Sequence, residues 1–374
     1  MKLAFPHTDP TSLLSDEDSV FVSKPYLPPL EEYVHYLQQV WASGHLTNNG
    51  ALVQRLETAL QASLAVPYVQ YVTNGTVALQ LALKALALRG KIITTPYSYV
   101  ATTNVILWEN CQPVFVDIEP DTFCIDADKI ESAIDEETTA ILATHVYGHP
   151  CDVEKIAALA KKYDLKVIYD GAHAFGVKLD GVPLLQYGDV ATISFHATKV
   201  FHTVEGGAVI SHDPDINEKV FLSKAFGHRA DDYTRIGING KNSEFHAAMG
   251  LCNLPMVQQL IDQRKLIYNQ YQEALRSLPV RTLQPSDRID YNYAYFPVIF
   301  DDFATMTRVK EALESQNIFP RRYFYPSLNQ LPFHPGEPCP VAEDITQRVL
   351  CLPFYHSLEQ EHISRIITII KSTL

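Results

Sequence analysis

The feature that most constrains this chain is an alternation. From about residue 50 to about residue 250, short β-rich apolar runs take turns with helical patterns. The runs are 69–72 (VQYV), 92–95 (IITT), 113–116 (PVFV), 140–144 (AILAT), 166–169 (KVIY), 190–195 (VATISF) and 207–210 (GAVI). Their near-continuous apolar character suits strands covered on both faces of a sheet. Between them, TVALQLALKALAL at 76–88 is rich in Ala and Leu, with Gly90 where a C-terminal cap belongs. DVEKIAALAKKY at 152–163 opens on an N-cap aspartate and carries Glu early and Lys late, matching the helix dipole. Strands alternating with helices predict a mostly parallel, three-layer α/β domain.

The pattern changes after a long helical stretch at 255–277. A strand is expected at 291–300, helices at 305–316 and 361–371, and 318–340 is rich in Pro and aromatics. We therefore expect a large domain over 1–254, N-terminal segment included. Residues 255–374 would be an interdomain helix and a smaller α+β domain. The first ~20 residues are polar and expected to be loosely held.

Composition narrows the function classes. With 47% hydrophobic residues the chain can build a sizeable core. Its net charge of −13 argues against nucleic acid, which needs a broad basic field. It leaves room for a small anionic ligand held by local donors. Pro6 and Asp9 interrupt any signal-peptide core, and no run reaches the ~20 apolar residues of a membrane span. The six cysteines form no CxxC pair. A cytoplasmic protein with no membrane partner is expected.

Ligands of an open parallel sheet bind beyond the carboxyl ends of its strands, and four features fall there. Thr73-Asn74-Gly75-Thr76 joins a strand end to a helix start, which is either a phosphate seat or a plain capped helix. Asp170 ends the strand KVIYD, with His173 close behind; a carboxylate there is costly unless paired. It could ligate a metal, act as a base or partner a protonated ring nitrogen. Lys199 follows the strand VATIS within SFHATK, either as a desolvated nucleophile or as a surface lysine. Tyr97-Ser98-Tyr99 offers an aromatic ring, to stack on a planar ligand or to pack in the core. Together, a phosphate seat, a stacking ring, a carboxylate and a Schiff-base lysine are the parts that pyridoxal 5'-phosphate requires.

The strings TNGTVALQLAL, TPYSYVATTN, DGAHAFGV, SFHATKVFHTVEGGAVIS and GINGKNSEFHAAMG resemble, in order, the DegT/StrS family of nucleotide-sugar aminotransferases. The resemblance spans nearly the whole chain. It implies the aspartate-aminotransferase-like fold, PLP fold type I. It assigns Lys199 to the Schiff base, Asp170 to the pyridine nitrogen and His173 to the neighbourhood of the phenolic oxygen. Tyr99 would stack on the ring, and Gly75, Thr76 and Ser194 would hold the phosphate. Asn239 would reach the phosphate of a neighbouring subunit, so a homodimer with shared active sites is implied. Lys199 stands where related sugar dehydratases have histidine, which favours transamination through the pyridoxamine phosphate form.

The opening PYLPPLEEYVHYLQQVWASGHLTNNG and the stretch FPRRYFYPSLNQLPF are most similar to the viosamine-forming branch. That branch implies amination of C-4 of dTDP-4-keto-6-deoxy-D-glucose, with L-glutamate as donor, for O-antigen sugars. A 3-keto sugar or a UDP-linked 4-keto sugar is the alternative. A non-catalytic cofactor-binding regulator and an NAD-dependent dehydrogenase are further classes; the latter lacks its glycine fingerprint. Sugar-nucleotide contacts are expected from His196, Arg229, Arg321, Arg322 and Tyr323. Gly171, Ala197 and Gly240-Lys241 depart from the commonest family pattern. No metal is expected, because Pro150 ends HVYGH and no helix aligns its two histidines.

Overall fold

Each of the seven apolar runs forms a strand, and the seven pair into one sheet. The computed structural model describes residues 19–374. The expectation of a loosely held start falls, for residues 1–18, outside the described residues. The strands are β1 (Tyr68–Val72), β2 (Lys91–Thr94), β3 (Gln112–Phe115), β4 (Thr138–Thr144), β5 (Lys166–Asp170), β6 (Val190–Ser194) and β7 (Gly207–Ser211). Their spatial order is β1-β7-β6-β5-β4-β2-β3. All neighbours are parallel except β7, which runs against both β1 and β6. Its first residue, Gly207, therefore pairs with the last residues of both neighbours, Val72 and Ser194.

Helices cover both faces, which explains the near-continuous apolar runs. They are α1 (Leu30–Ser43), α2 (Ala51–Leu64), α3 (Gly75–Ala85), α4 (Ala101–Trp108), α5 (Val153–Tyr163), α6 (Pro214–Lys224), α7 (Glu244–Asn253), α8 (Val257–Leu275), α9 (Phe303–Glu314), α10 (Pro340–Arg348) and α11 (Gln360–Thr373). Ile92, Leu142, Ile168 and Val209 turn to the face packed by α3, α4 and α6. Their strand neighbours Ile93, Ile141, Val167 and Ile210 turn to the face packed by α2 and α5. Asp152 caps α5 as expected, its side chain accepting from the Lys155 amide.

Gly90 does not cap α3. That helix ends at Ala85, and Ala87 takes the left-handed conformation. Gly90 instead lies where a Cβ would stand 2.5 Å from the Glu137 carbonyl, so it permits close backbone approach at the start of β2.

Beyond α8 a second core forms from Tyr271, Leu275, Val298, Phe300, Leu313, Ile366 and Ile370. Its antiparallel sheet joins β8 (Val280–Thr282), β9 (Pro297–Phe300) and β10 (Val349–Cys351). Val20–Phe21 pairs in parallel with Ile318–Phe319, and Val20 sits in this core, so the start of the described chain crosses to the C-terminal unit. Of the strand expected over 291–300, the part that forms is Pro297–Phe300; Ile289–Asp290 is a separate short strand just before that range. The residues between spend their polar groups elsewhere. Arg264, itself buried, donates to the carbonyls of Tyr293, Ala294 and Phe354. Asn292 Nδ2 donates to the carbonyls of His173 and Phe175, at 2.8 and 3.0 Å. This tie holds the segment against the mouth of the main sheet.

Candidate active site

The carboxyl ends of β1, β2, β5 and β6 open on a cavity of about 440 Å³, closed from above by C-terminal residues. On one side is the start of α3. Asn74 caps this helix by accepting from the Val77 amide at 2.9 Å. The first amides of a helix have no partner within it and carry the positive dipole end. A Cβ on Gly75 would lie 2.9 Å from Ser194 Cβ, so only glycine brings this backbone so near the end of β6. A Cβ on Gly207 would lie 2.6 Å from the Asn74 carbonyl carbon, which sets β7 directly beneath the seat.

Asp170 lies on the floor and is buried. Its carboxylate accepts from Thr102 Oγ1 at 2.8 Å and from the Ala172 amide at 3.0 Å. Behind Thr102 the hydroxyls continue: Thr144 donates to Ser98 at 3.1 Å, and Ser98 lies 2.8 Å from Thr102. Burial pushes the Asp170 carboxyl up; the two hydrogen bonds and the charge of Lys199 oppose this. Lys199 also faces the cavity. Burial pushes its ammonium down to about 8 against the opposing pull of Asp170, Tyr323 and Tyr99. Its Nζ donates to Tyr295 Oη at 3.1 Å.

His173 Nδ1 accepts from the Tyr147 amide at 3.1 Å. A backbone N–H only donates, so Nδ1 carries no proton and the neutral ring donates from Nε2. Burial, then the charge of Lys199, holds His173 well below its ordinary range, which agrees with that neutral form. Tyr99 stands 63% exposed in the cavity wall. His196 lies at the lip, 3.6 Å from Glu205, and Arg321 and Tyr323 close the far side.

The structure thus brings Gly75, Thr76, Tyr99, Asp170, His173, Ser194, His196, Lys199, Arg321 and Tyr323 to one cavity. It does not bring Arg229, Arg322 or Asn239 there. Arg229 is exposed and bound to Glu218 Oε2 at 2.7 Å. Arg322 turns the other way, donating to the Thr346 carbonyl at 2.8 Å and lying 3.5 Å over the Tyr325 ring. Of the two adjacent arginines, Arg321 lines the cavity and Arg322 does not. Asn239 is exposed on the surface and accepts from Lys241 Nζ at 2.7 Å. Sequence reasoning missed Tyr295, Thr102 and Glu205. Only the strings TPYSYVATTN and VEGGAVIS pointed near the last two.

Gly171, where many members of the resembling family have alanine, has a local cause here. A Cβ would overlap Leu185 Cδ2 and lie 3.0 Å from the Thr192 carbonyl. The buried Leu185 fills the space that a methyl group would take.

The residues fit pyridoxal phosphate. They supply a cradle of amides and Ser194 for a phosphate, a buried carboxylate backed by hydroxyls for a ring nitrogen, a neutral imidazole donor and a lysine amine bonded to the Tyr295 hydroxyl. Comparisons agree. The model of the DegT/DnrJ/EryC1/StrS aminotransferase family matches residues 30–371. The chain is 42% identical to a dTDP-4-amino-4,6-dideoxy-D-glucose transaminase of Shigella dysenteriae, over 95% of this chain and 99% of that one. A transaminase of the same name from Escherichia coli is 41% identical, over 94% and 98%. The crystal structure of DesI with its TDP-sugar product superposes with a TM-score of 0.91 at 31% identity, covering 96% of this chain and 93% of that one.

The packing of Leu185 makes a prediction. Gly171→Ala should destabilise the fold by about 1–3 kcal/mol through overpacking, and Leu185→Ala by about 2–5 kcal/mol through a cavity. The double variant should lose clearly less than the sum, measured by chemical denaturation as a double-mutant cycle. Simple additivity would mean that the two groups do not compete for one space.

Proposed function

The chain belongs to the DegT/DnrJ/EryC1/StrS aminotransferase family, and we propose that its substrate is dTDP-4-keto-6-deoxy-D-glucose, aminated at C-4 with L-glutamate as donor. The enzyme is a pyridoxal phosphate-dependent sugar aminotransferase. The observation that carries the substrate is the identity of 41–42% to the two transaminases of that product over nearly their full lengths.

Bound in the cavity, pyridoxal phosphate supplies an electron-withdrawing ring and a carbon that exchanges an amino group. The roles of the chain's own residues follow from their surroundings. Gly75, Thr76 and Ser194 hold the phosphate by amide and hydroxyl donors. Tyr99 covers the ring face from the open side. Asp170, which burial alone would push toward its neutral form, keeps its charge when a protonated ring nitrogen is set against it. His173 donates from Nε2 to an oxygen on the ring. Lys199 has a depressed pKa, so a useful fraction of its amine carries a lone pair at neutral pH. Lys199 would hold the cofactor covalently through this amine; once the donor's amino group has displaced it, the freed Nζ would accept the donor's α-proton, whose C–H electrons stay on the carbon. Arg321, with Tyr323 and His196 at the lip, meets the nucleotide sugar, its guanidinium on the pyrophosphate.

We read the assembly as a homodimer. Asn239 lies outside its own cavity, on a surface loop that also exposes Phe226, Tyr233, Ile236 and Ile238. In a pair of chains, Asn239 of the partner subunit completes the phosphate seat. Sedimentation should give twice the 42.1 kDa of one chain; a monomer of full activity would overturn this reading.

Turnover with dTDP-, UDP- and GDP-linked 3-keto and 4-keto sugars tests the substrate, with the amino position read by NMR. The dTDP-linked 4-keto sugar should have the highest kcat/KM; a better UDP-linked or 3-keto substrate refutes it. The purified protein should be yellow and bleach with L-glutamate. Lys199→Ala should lose the lysine-dependent visible band and all turnover. Arg321→Ala should raise the sugar-nucleotide KM roughly tenfold or more, the cost of one charge-assisted contact. Its cofactor spectrum should be unchanged; loss of the cofactor instead would contradict the assignment.

A further inference from the structure

Tyr295 comes from the C-terminal unit, far along the chain from Lys199, yet its hydroxyl lies 3.1 Å from Nζ. Among the described residues this lysine is the hydroxyl's one hydrogen-bond partner. The ring is held on several sides. It packs edge-on against His173 at 4.9 Å and against Tyr323 at 5.8 Å, and is tilted over Tyr147 at 5.4 Å. Its backbone is fixed too. Arg264 binds the carbonyls of Tyr293 and Ala294, and Asn292 Oδ1 accepts from the Ala294 amide at 3.1 Å. Asn292 is itself tied to the carbonyls at His173 and Phe175. The buried Arg264 has carbonyls and an aromatic ring as neighbours and, among the described residues, forms no ion pair. Its structural effect is to fix the backbone that presents Tyr295.

We propose that Tyr295 is a catalytic residue of the amine-transfer reaction, the hydroxyl that aims the free Lys199 amine by accepting one of its N–H groups. This rests on the reading of Lys199 as the cofactor-bonding amine. The hydroxyl serves both states of that amine. As an ammonium, Nζ donates to Oη; as a neutral amine it donates one of its own N–H groups to the same oxygen, which leaves its lone pair free for the α-proton. The amine is thereby kept at one place while it accepts the donor's α-proton and gives it up again. No proton leaves Tyr295 in a completed cycle, so the balance of the transamination is unchanged. The groups facing Nζ are Asp170 from β5, His173 from the loop after it, Tyr99 from the loop after β2, and Tyr295 and Tyr323 from the C-terminal unit. Among the described residues, Tyr295 is the one within hydrogen-bond distance.

Loss of the hydroxyl costs the ammonium more than the neutral amine, because the charged hydrogen bond is the stronger. The amine should therefore titrate lower in Tyr295→Phe than in the parent enzyme. Holoenzyme of Tyr295→Phe, mixed with L-glutamate in a stopped-flow instrument, tests this. It should keep the visible band at full intensity but bleach roughly tenfold or more slowly, in the range of a lost acid-base partner. The rising limb of its pH–rate profile should move to lower pH. 3-Fluorotyrosine at position 295 leaves the packing intact and should move the limb the same way, since a more acidic phenol is a weaker acceptor. An unchanged rate and profile in both proteins would overturn the proposal. So would loss of the band in Tyr295→Phe, which would make Tyr295 a cofactor-binding group. If Lys199→Ala keeps the wild-type band, the underlying reading fails instead.

Discussion

A carboxylate and an amine set into one partly closed cavity are the constraint on which the structure depends. Neither Asp170 nor Lys199 is solvated as it would be at a surface, and burial acts on both in the direction of neutrality. The protein opposes this only partly. Asp170 receives two hydrogen bonds, one of them from the end of a hydroxyl chain that starts at Thr144 on the neighbouring strand β4. Lys199 receives one phenol. In the proposed reading, this residual cost would be relieved by a cofactor that offers a cationic nitrogen and an electrophilic carbon.

The sheet and the C-terminal unit divide the work. The ends of β1, β5 and β6 place the anchor, the carboxylate and the lysine. The C-terminal unit places the groups that close over them, and it is joined to the sheet by specific polar ties: Asn292 at the carbonyls of His173 and Phe175, and the hydroxyls of Tyr97 and Tyr147 at the Tyr323 carbonyl. A net charge of −13 is no obstacle to anionic ligands under this arrangement. In the proposed reading, amide dipoles, hydroxyls and Arg321 would act at contact distance, where local donors outweigh a screened global field.

Much of this was legible in the sequence, for definite reasons. Strands buried on both faces announce themselves as apolar runs, and all seven form. Residues at strand ends, such as Asp170 and Lys199, are identified by their position in that pattern. What was not legible depends on distant pairings. Thr102 supports Asp170 from 68 residues away, and Tyr295 reaches Lys199 across 96. No local spacing encodes either contact. The choice between Arg321 and Arg322 turned on which of two adjacent side chains faced the cavity. Gly90 was misread because a glycine after a helix has two uses, and Ala87 had already supplied the left-handed turn. The aromatic stretch 291–296 looked like strand because aromatic residues favour sheets. Its backbone groups were instead bound by Arg264, by Asn292 and by packing at the cavity mouth.

The reversed direction of β7 has a mechanical consequence. Because β7 starts where β6 ends and the two are paired, Ser194 and Gly207 stand opposite each other in the ladder. The segment 195–206, which carries Lys199, is therefore a tongue clamped at its root. The clamp is reinforced just inside, where the Phe195 amide donates to Gly206 at 2.8 Å and the Thr203 amide to Phe195 at 2.9 Å. A parallel strand at the same place would have begun at the opposite edge of the sheet and left this tongue tethered at one end. With both ends fixed, the pivot of the lysine is set by the sheet, and the amine's reach is that of a single side chain swinging from a stationary mount.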